Sequence, residues 1–418
     1  MSIYRNRYFV RFWAGEAISV TGAAAASVLL PLLAIETLHA NPAWMGIISA
    51  AVWLPWLIVG LPAGAWVDAL PPRIVMIMAN LLGIIAYGSI LVAAAFGVLA
   101  LAQIAAVAFA GGVASVFFRT AYSKLVVALV EVDDRPRANS LLFGTEQAAY
   151  TAGPGLGGIL AQAFGAALGL FSNVAGLVIS TICLLAIKPK PPEAQTARLP
   201  LGRAIREGLA LVFGDRHLRF FTLTGAAANF GLTGQTTVLT LWLVRDLRLE
   251  PVAVGGFLAV VSIGGIAGAL AAPSVALRWG DARGTALALT VGAVAMPLYA
   301  IAGTGLMAWA AAACVAFGAG GIAASNVMRR SWIQNYVPEH LLGRQGTSAQ
   351  LVNFGTMPLA AIVAGSLGEA FDLRLVILGM GLIVTAANGT VWAQPWLRAS
   401  RQLPIRTENP RSDLQRID

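Results

Sequence analysis

Apolar runs of membrane-spanning length follow one another along nearly the whole chain, separated by short polar gaps. Hydropathy places them at 9–38, 42–69, 73–96, 99–127, 138–164 and 166–187, and again at 218–244, 251–277, 285–303, 306–334, 346–370 and 375–396. Roughly 20 mostly apolar residues suffice to cross a bilayer as a helix. Lipid offers no partner to backbone N–H and C=O groups, so only helices or closed barrels can span it, and these runs are too long for barrel strands. Several gaps hold only one or two residues (Gly97-Val98, Gly165, Thr304-Gly305), which makes the flanking spans antiparallel neighbours. The pattern predicts an all-α membrane protein of twelve transmembrane helices.

The one long polar gap, Lys188 to Arg219, divides the spans into two sets of six. It opens on a proline-rich turn and continues with Leu201, Ile205, Leu209 and Val212 at helical spacing against Arg203, Arg206 and Glu207. This pattern fits an amphipathic helix on the inner leaflet, and equally a plain tether. The predicted organisation is a six-helix bundle over 1–188, a linker over 189–216, a second six-helix bundle over 217–397, and a disordered tail over 398–418.

The two sets echo each other. Val130-Glu131 and Arg137 after the fourth span match Val337, Glu339 and Arg344 after the tenth, and each stretch leads into a glycine-rich helix with one proline, Pro154 or Pro358. Gly64-Ala65-Trp66-Val67-Asp68 after the second span faces Trp279-Gly280-Asp281 after the eighth. Many secondary transporters are built on such repeats, with the substrate held between them near the midplane.

Charge fixes the expected orientation. Twenty-five Lys and Arg fall on the side of the N-terminus when the gaps are counted alternately, four of them assigned to the gap after the fourth span. Only Arg245, Arg248 and Arg374 fall on the other side. The positive-inside rule then predicts an inner (plasma) membrane protein with both termini in the cytoplasm. The formal net charge of +9 is therefore topological and says nothing of nucleic acid. The apolar run after the basic leader is too long for a cleaved signal peptide and is expected to remain as the first span. Charged residues are only 11% of the chain against 58% hydrophobic ones, so those within spans stand out. Cys183 and Cys314 lie inside apolar runs, and the three His sit at span ends, so no metal site, cofactor or catalytic constellation is predicted. An enzyme would need a nucleophile–base pair within the spans, and a sensor or scaffold would need a sizeable soluble domain; neither is present in the sequence.

Three segments carry a resemblance to the major facilitator superfamily, over essentially the full length. Gly64-Ala65-Trp66-Val67-Asp68-Ala69-Leu70-Pro71-Pro72-Arg73 resembles the family's gate loop Gly-x-x-x-Asp-Arg-x-Gly-Arg-Arg, keeping Gly64, Asp68 and Arg73 but with Ala69 in place of the first arginine. Gly153-Pro154-Gly155-Leu156-Gly157-Gly158 resembles its antiporter signature, which implies export. Leu341-Leu342-Gly343-Arg344 and Phe12-Trp13-Ala14-Gly15 are most similar to the branch of macrolide efflux proteins and the enterobactin exporter. That branch often carries Asn-x-x-Arg before the Gly-Pro; here the positions are Gln147 and Tyr150. The resemblance implies a monomeric secondary transporter of a small amphipathic organic compound. Import, or handling of a lysophospholipid-like substrate, is the alternative.

An ionisable side chain inside a span is costly enough to mark function. Glu146, nine residues past Arg137, is expected near the midplane as a proton carrier; Glu16, five residues past Arg11, is expected near the inner surface, with a structural partner or a secondary coupling role. Span seven carries Asn229, Thr233, Thr236, Thr237 and Thr240 on one helical stripe, which suits either a cavity wall or interhelical hydrogen bonds; Gln103 and Asn326 are fainter candidates for the cavity.

Overall fold

In the computed structural model the described residues are 3–187, 201–398 and 400–404. They form helices throughout, with no strand among them. The first set of spans comprises Arg7–Glu36, Pro42–Ile58 continued by Gly60–Ala69, Pro72–Ala95, Leu101–Leu129, Arg135–Phe164, and Ala166–Gly169 continued by Phe171–Leu185. The second comprises Arg216–Arg245, Pro251–Trp279, Asp281–Ala295 continued by Met296–Ile301, Leu306–Tyr336, Glu339–Ala370 and Leu373–Gly389. They are called spans one to twelve in chain order. Nine are individually long and apolar enough to cross a membrane. Span two falls short because it breaks at Val59, and spans five and seven because polar residues dilute them. Those polar residues are the ones that build the site described below.

Helix ends follow local chemistry. Asn6 Oδ1 accepts from the amides of Tyr8 and Phe9 to start span one, and Asp215 Oδ1 accepts from His217 and Leu218 to start span seven. In span nine the α-helix gives way at Met296 to a 3-10 turn, because Pro297 has no N–H for the carbonyl of Ala293. Thr385 Oγ1 donates to that carbonyl instead at 2.6 Å, and Gln235 Nε2 donates to Met296 O and Ile377 O. Side chains of spans seven and twelve thus repair a break in span nine, as lipid requires.

The interhelix packing is backbone against backbone. A Cβ on Gly268 of span eight would run into the Gly320 carbonyl of span ten, and one on Gly157 would lie 2.6 Å from Ala25 O of span one. In a bilayer, where no hydrophobic force draws helices together, such small-residue contacts supply the van der Waals attraction.

The two six-span sets meet along spans two and eleven and along spans five and eight. Their tightest backbone contacts lie towards the membrane face opposite the termini, here the far side. A Cβ on Gly365 would stand 2.8 Å from Pro42 O and from the Gly46 Cα, and one on Gly158 would crowd Pro251 O and Gly255. Among the described residues every hydrogen bond between the sets joins this region: Arg245 Nη2 to His39 O and Ala40 O, Gln162 Nε2 to Glu250 Oε2, Val252 N to Gln162 Oε1, Ala43 N to Glu369 Oε1, and Thr237 Oγ1 to Ser49 Oγ. Deeper in, Phe354 of span eleven packs against Trp53 and Trp56 of span two, with ring centroids 5.6 and 5.2 Å apart. The far side is sealed.

The structure moves several sequence-based boundaries. Span five begins at Arg135 rather than at 138, and span eleven at Glu339 rather than at 346, because the polar first turns are helical too. The linker forms a helix over Leu201–Gly214, docked on span eleven: Arg344 Nη1 donates to Glu207 Oε2 at 2.5 Å, and Gly208 lies so close to Arg344 O and Ser348 that a Cβ would not fit. The tail expected to be disordered packs against the second bundle at its start. Leu397 and Leu403 are buried, and Trp332 Nε1 donates to Pro404 O. Residues 405–418 lie outside the described residues.

Gly365→Val should wedge the far-side seal. Overpacking of this kind costs about 1–3 kcal/mol, so labelling of a cysteine placed at the buried Thr240 by an impermeant maleimide from the far side should rise about tenfold or more. Unchanged labelling would mean that the contact does not hold the seal.

Candidate functional site

Between spans one, three, four, five and six of the first bundle lies a cavity of about 250 Å³. Its polar centre is an ion pair that joins two spans. Arg119 Nη2, on span four, donates to Glu146 Oε1 of span five at 2.5 Å and to the Tyr150 hydroxyl, one helical turn further on, at 2.8 Å. Glu146 stands eleven residues past the start of span five (146 − 135), roughly 16 Å deep at 1.5 Å per residue. Glu16 lines the same cavity from span one, and its Oε2 is buried with no hydrogen-bond partner. Thus two carboxyls share one guanidinium's surroundings, and only one of them is engaged by it.

Packing explains the geometry. Span one can approach span six closely because Gly15 faces Cys183 and Ser180, and Gly22 faces Ser172 and Asn173. Trp13 Nε1 donates to Thr145 Oγ1 at 2.8 Å, which fixes span one beside the residue preceding Glu146. Asn80 Nδ2 donates to Ser180 Oγ at 3.0 Å on the opposite wall, while the Asn173 Oδ1 is buried without a donor. Aromatic walls come from Tyr87, Phe118 and Tyr122.

A second, smaller cavity of about 110 Å³ lies in the other bundle between spans seven, nine, ten and twelve. Asn229 and Asn326 line it together with Arg329. Asn229 Nδ2 donates to Asn353 Oδ1 at 3.0 Å, and Arg329 Nη2 donates to Asn326 Oδ1 at 2.9 Å.

The residues singled out from the sequence are distributed as follows. Glu146 and Glu16 come together in the first cavity, and Asn229 and Asn326 in the second. Glu16 is not beside a basic neighbour at the membrane surface; nine residues into span one (16 − 7), it faces the cavity with an unpaired oxygen. Thr233, Thr237 and Thr240 are buried, and Thr237 bonds across to Ser49 in the seal. Thr236 is exposed, its hydroxyl returned to its own helix at Leu232 O and Thr233 O. Gln103 lies at the far-side end of span four, where its Nε2 donates to Ser89 O and Oγ of span three, away from both cavities. Arg73 Nη2 donates to Leu185 O; the side chains of Gly64 and Asp68 lie outside the described residues. In the antiporter-like segment Gly153 and Gly157 pack on Ala24 and Ala25 of span one, Gly158 packs on Gly255 of span eight, and Pro154 is buried. That segment therefore faces both a cavity helix and the opposite bundle.

Arg119 escapes the sequence reading, which counts it among the charges of the gap after span four. It sits ten residues inside that span (129 − 119), and the signal that finds it is its depth within an apolar run. Tyr150, where the resemblance leads one to expect arginine, receives its cation from Arg119 across the interface.

Comparison with known proteins gives a family match and relatives that align over most of the chain. The model of the Major Facilitator Superfamily matches residues 12–361. The multidrug efflux pump Tap of Mycolicibacterium fortuitum is 28% identical over 352 residues, 80% of this chain and 83% of that protein. Among solved structures, a bacterial homologue of the iron transporter ferroportin, in its inward-facing state, aligns with a TM-score of 0.69 at 18% identity, covering 94% of this chain and 100% of that one. The nucleoside transporter NupG (a point mutant) aligns with a TM-score of 0.75 at 14% identity, covering 92% and 99%.

Replacing Arg119 by Leu should lower thermal stability in detergent, and the added Glu146→Leu should restore part of the loss. Because both side chains are partly exposed, the coupling energy should be about 1 kcal/mol. Strictly additive single and double variants would disprove the pairing.

Proposed function

Because the chain belongs to the Major Facilitator Superfamily, we propose that it exports a small amphipathic organic compound in exchange for protons by alternating access. It is a multi-pass membrane transporter, not an enzyme. The observation that carries the finer reading is the three-residue cluster at the first cavity: Arg119 engages Glu146, while half-buried Glu16 has one buried oxygen, Oε2, without a donor.

The physical logic is a competition for one guanidinium. While Glu146 is ionised, the charge-assisted bond from Arg119 ties span four to span five. Protonation removes the charge that holds the pair and releases Arg119 towards the cavity. Glu16, sharing the cavity, is a second seat for the proton. A carboxyl that changes partner on protonation biases the equilibrium between two arrangements of the helices, and a bound substrate biases it the other way.

The seal on the far side supports reading this arrangement as one end state of the cycle. With the termini in the cytoplasm, as the distribution of Lys and Arg favours, the far side is the cell exterior and the sealed form faces inward, ready to load substrate for export. Exposing the cavities outward requires separating Gly46 from Gly365 and Gly158 from Gly255. The Gly64–Asp68–Arg73 loop lies on the terminal side, where the opposite gate must close. Export also accords with the multidrug efflux pump among the relatives. On this reading a single chain in the inner membrane is the working unit, and its partners are the substrate, protons and the surrounding lipid.

The test is proton movement in proteoliposomes carrying a preset pH gradient, challenged with a panel of lipophilic drugs, siderophores and lysolipids. The wild type should discharge the gradient when a transported compound is added. Glu146→Gln should bind the same compound but slow the discharge by two orders of magnitude or so, in the range of a lost proton-transfer group. Discharge by Glu146→Gln at the wild-type rate would remove Glu146 from the coupling.

A further inference from the structure

Arg329 stands seven residues inside span ten (336 − 329), roughly 10 Å from its end. A cation at that depth is expensive and ordinarily pairs with a carboxylate. Among the described residues no carboxylate forms an ion pair with it. Its guanidinium reaches Asn326 Oδ1 at 2.9 Å and Phe221 O at a marginal 3.5 Å, and lies over the Phe221 ring at 5.8 Å. A guanidinium carries five N–H donors, so most of this one's capacity is open.

The surroundings add a second donor of the same kind. Arg329 lines the second cavity. Asn388 lines it too; its side chain is 2% exposed, and its Nδ2 is buried without an acceptor. Asn229, whose Nδ2 is held by Asn353, and Thr224 complete a wall of neutral dipoles. Gly225 lets these side chains lie close to span seven: a Cβ there would stand 2.8 Å from Asn353 Oδ1 and 3.5 Å from Arg329 Nη1. An unpaired cation and an unpaired amide donor thus line one pocket and lack the same thing, an acceptor with negative charge.

We infer that this cavity is an anion subsite, in which Arg329 and Asn388 bind a carboxylate or phosphate group of the transported molecule. The inference rests on the transport reading above and narrows its substrate class to amphipathic compounds with an acidic headgroup. The first cavity, with two carboxyls to one guanidinium, has the opposite polarity, so the two bundles offer charges of different sign to the two ends of a substrate.

Phenyl phosphate and benzoate serve as acidic probes, and phenyltrimethylammonium as their cationic counterpart. Binding is measured by calorimetry on the full chain in phosphatidylcholine nanodiscs, with empty nanodiscs as blank. The wild type should bind both acidic probes more tightly than the cationic one. Arg329→Gln should weaken the acidic probes by about ten- to a hundredfold, the range of a lost charge-assisted hydrogen bond. Asn388→Leu, which keeps the charge, should weaken them by about tenfold. Binding is read without a proton gradient, so that failure of proton coupling and failure of the anion subsite read out separately. In phosphatidylglycerol nanodiscs, weaker probe binding would mean that a bilayer headgroup fills the subsite, and unchanged binding that a soluble acid does; both support an anion site. Wild-type binding that ignores probe charge would overturn the inference. So would wild-type affinity in Arg329→Gln with an unaltered thermal unfolding profile.

Discussion

Close backbone approach at glycine is the constraint on which the rest of this structure depends. Between helices in lipid, attraction comes from short-range contact, and contact is closest where Cβ atoms are missing. Here the same device serves two purposes. Within a bundle it is permanent, as where Gly157 lies on Ala25 and Gly268 on Gly320. Between the bundles it is the seal, as where Gly158 lies on Gly255 and Gly46 on Gly365. Span five carries both kinds within two residues, so its position relative to span one is fixed while its hold on span eight is the part that alternating access must break. A seal made of small apolar contacts and a few hydrogen bonds costs little to open, which a transporter cycling between two states needs.

The polar residues obey the complementary constraint. A span can carry them only where a neighbour or a cavity accepts them. Gln235 is fully buried and meets carbonyls of spans nine and twelve, close to the bend at Pro297. Thr385 meets the carbonyl freed by that proline. Arg119 meets Glu146 and Tyr150. Among the described residues five buried side-chain atoms lack a partner: Glu16 Oε2 and Asn173 Oδ1 at one cavity, Asn388 Nδ2 at the other, and Arg73 Nε and Gln235 Oε1 away from both. The three that line a cavity are free to meet a proton or a substrate.

How much of this the sequence carries follows from which physical quantity each feature depends on. Span number, the division into two bundles and the glycine-rich antiporter-like segment depend on local composition and repeat, and they are legible. The depth of Glu146 is also legible, since rise per residue is fixed. Its partner is not: Arg119 lies twenty-seven residues away (146 − 119), and their meeting depends on how spans four and five are rotated about their axes. The same ignorance of rotation makes Gln103 resemble a cavity residue when it faces Ser89, and makes Thr237 resemble one when it bonds to Ser49 of the opposite bundle. Charge counting by side misfiles Arg119 for a related reason, since a tally by gap ignores how deep within a helix a charge lies.

Rotation also separates the two bundles in chemistry although the repeat makes them alike in fold. The match of Val130 with Val337 sets span four against span ten with an offset of 207 residues (337 − 130). Carried along the helix, that offset sets Arg119 against Asn326 and places Arg329 one turn nearer the membrane face, against Tyr122. The cavity-lining cation of the fourth helix is thus displaced by about one turn between the repeats, and only the first repeat supplies carboxylates beside it. Duplicated helices can diverge in this way at no cost to the fold, since the packing rests on glycines elsewhere. The result is a symmetric scaffold with one wall bearing acid and base together and the other bearing a lone cation, an asymmetry that lets one molecule be gripped at two unlike ends.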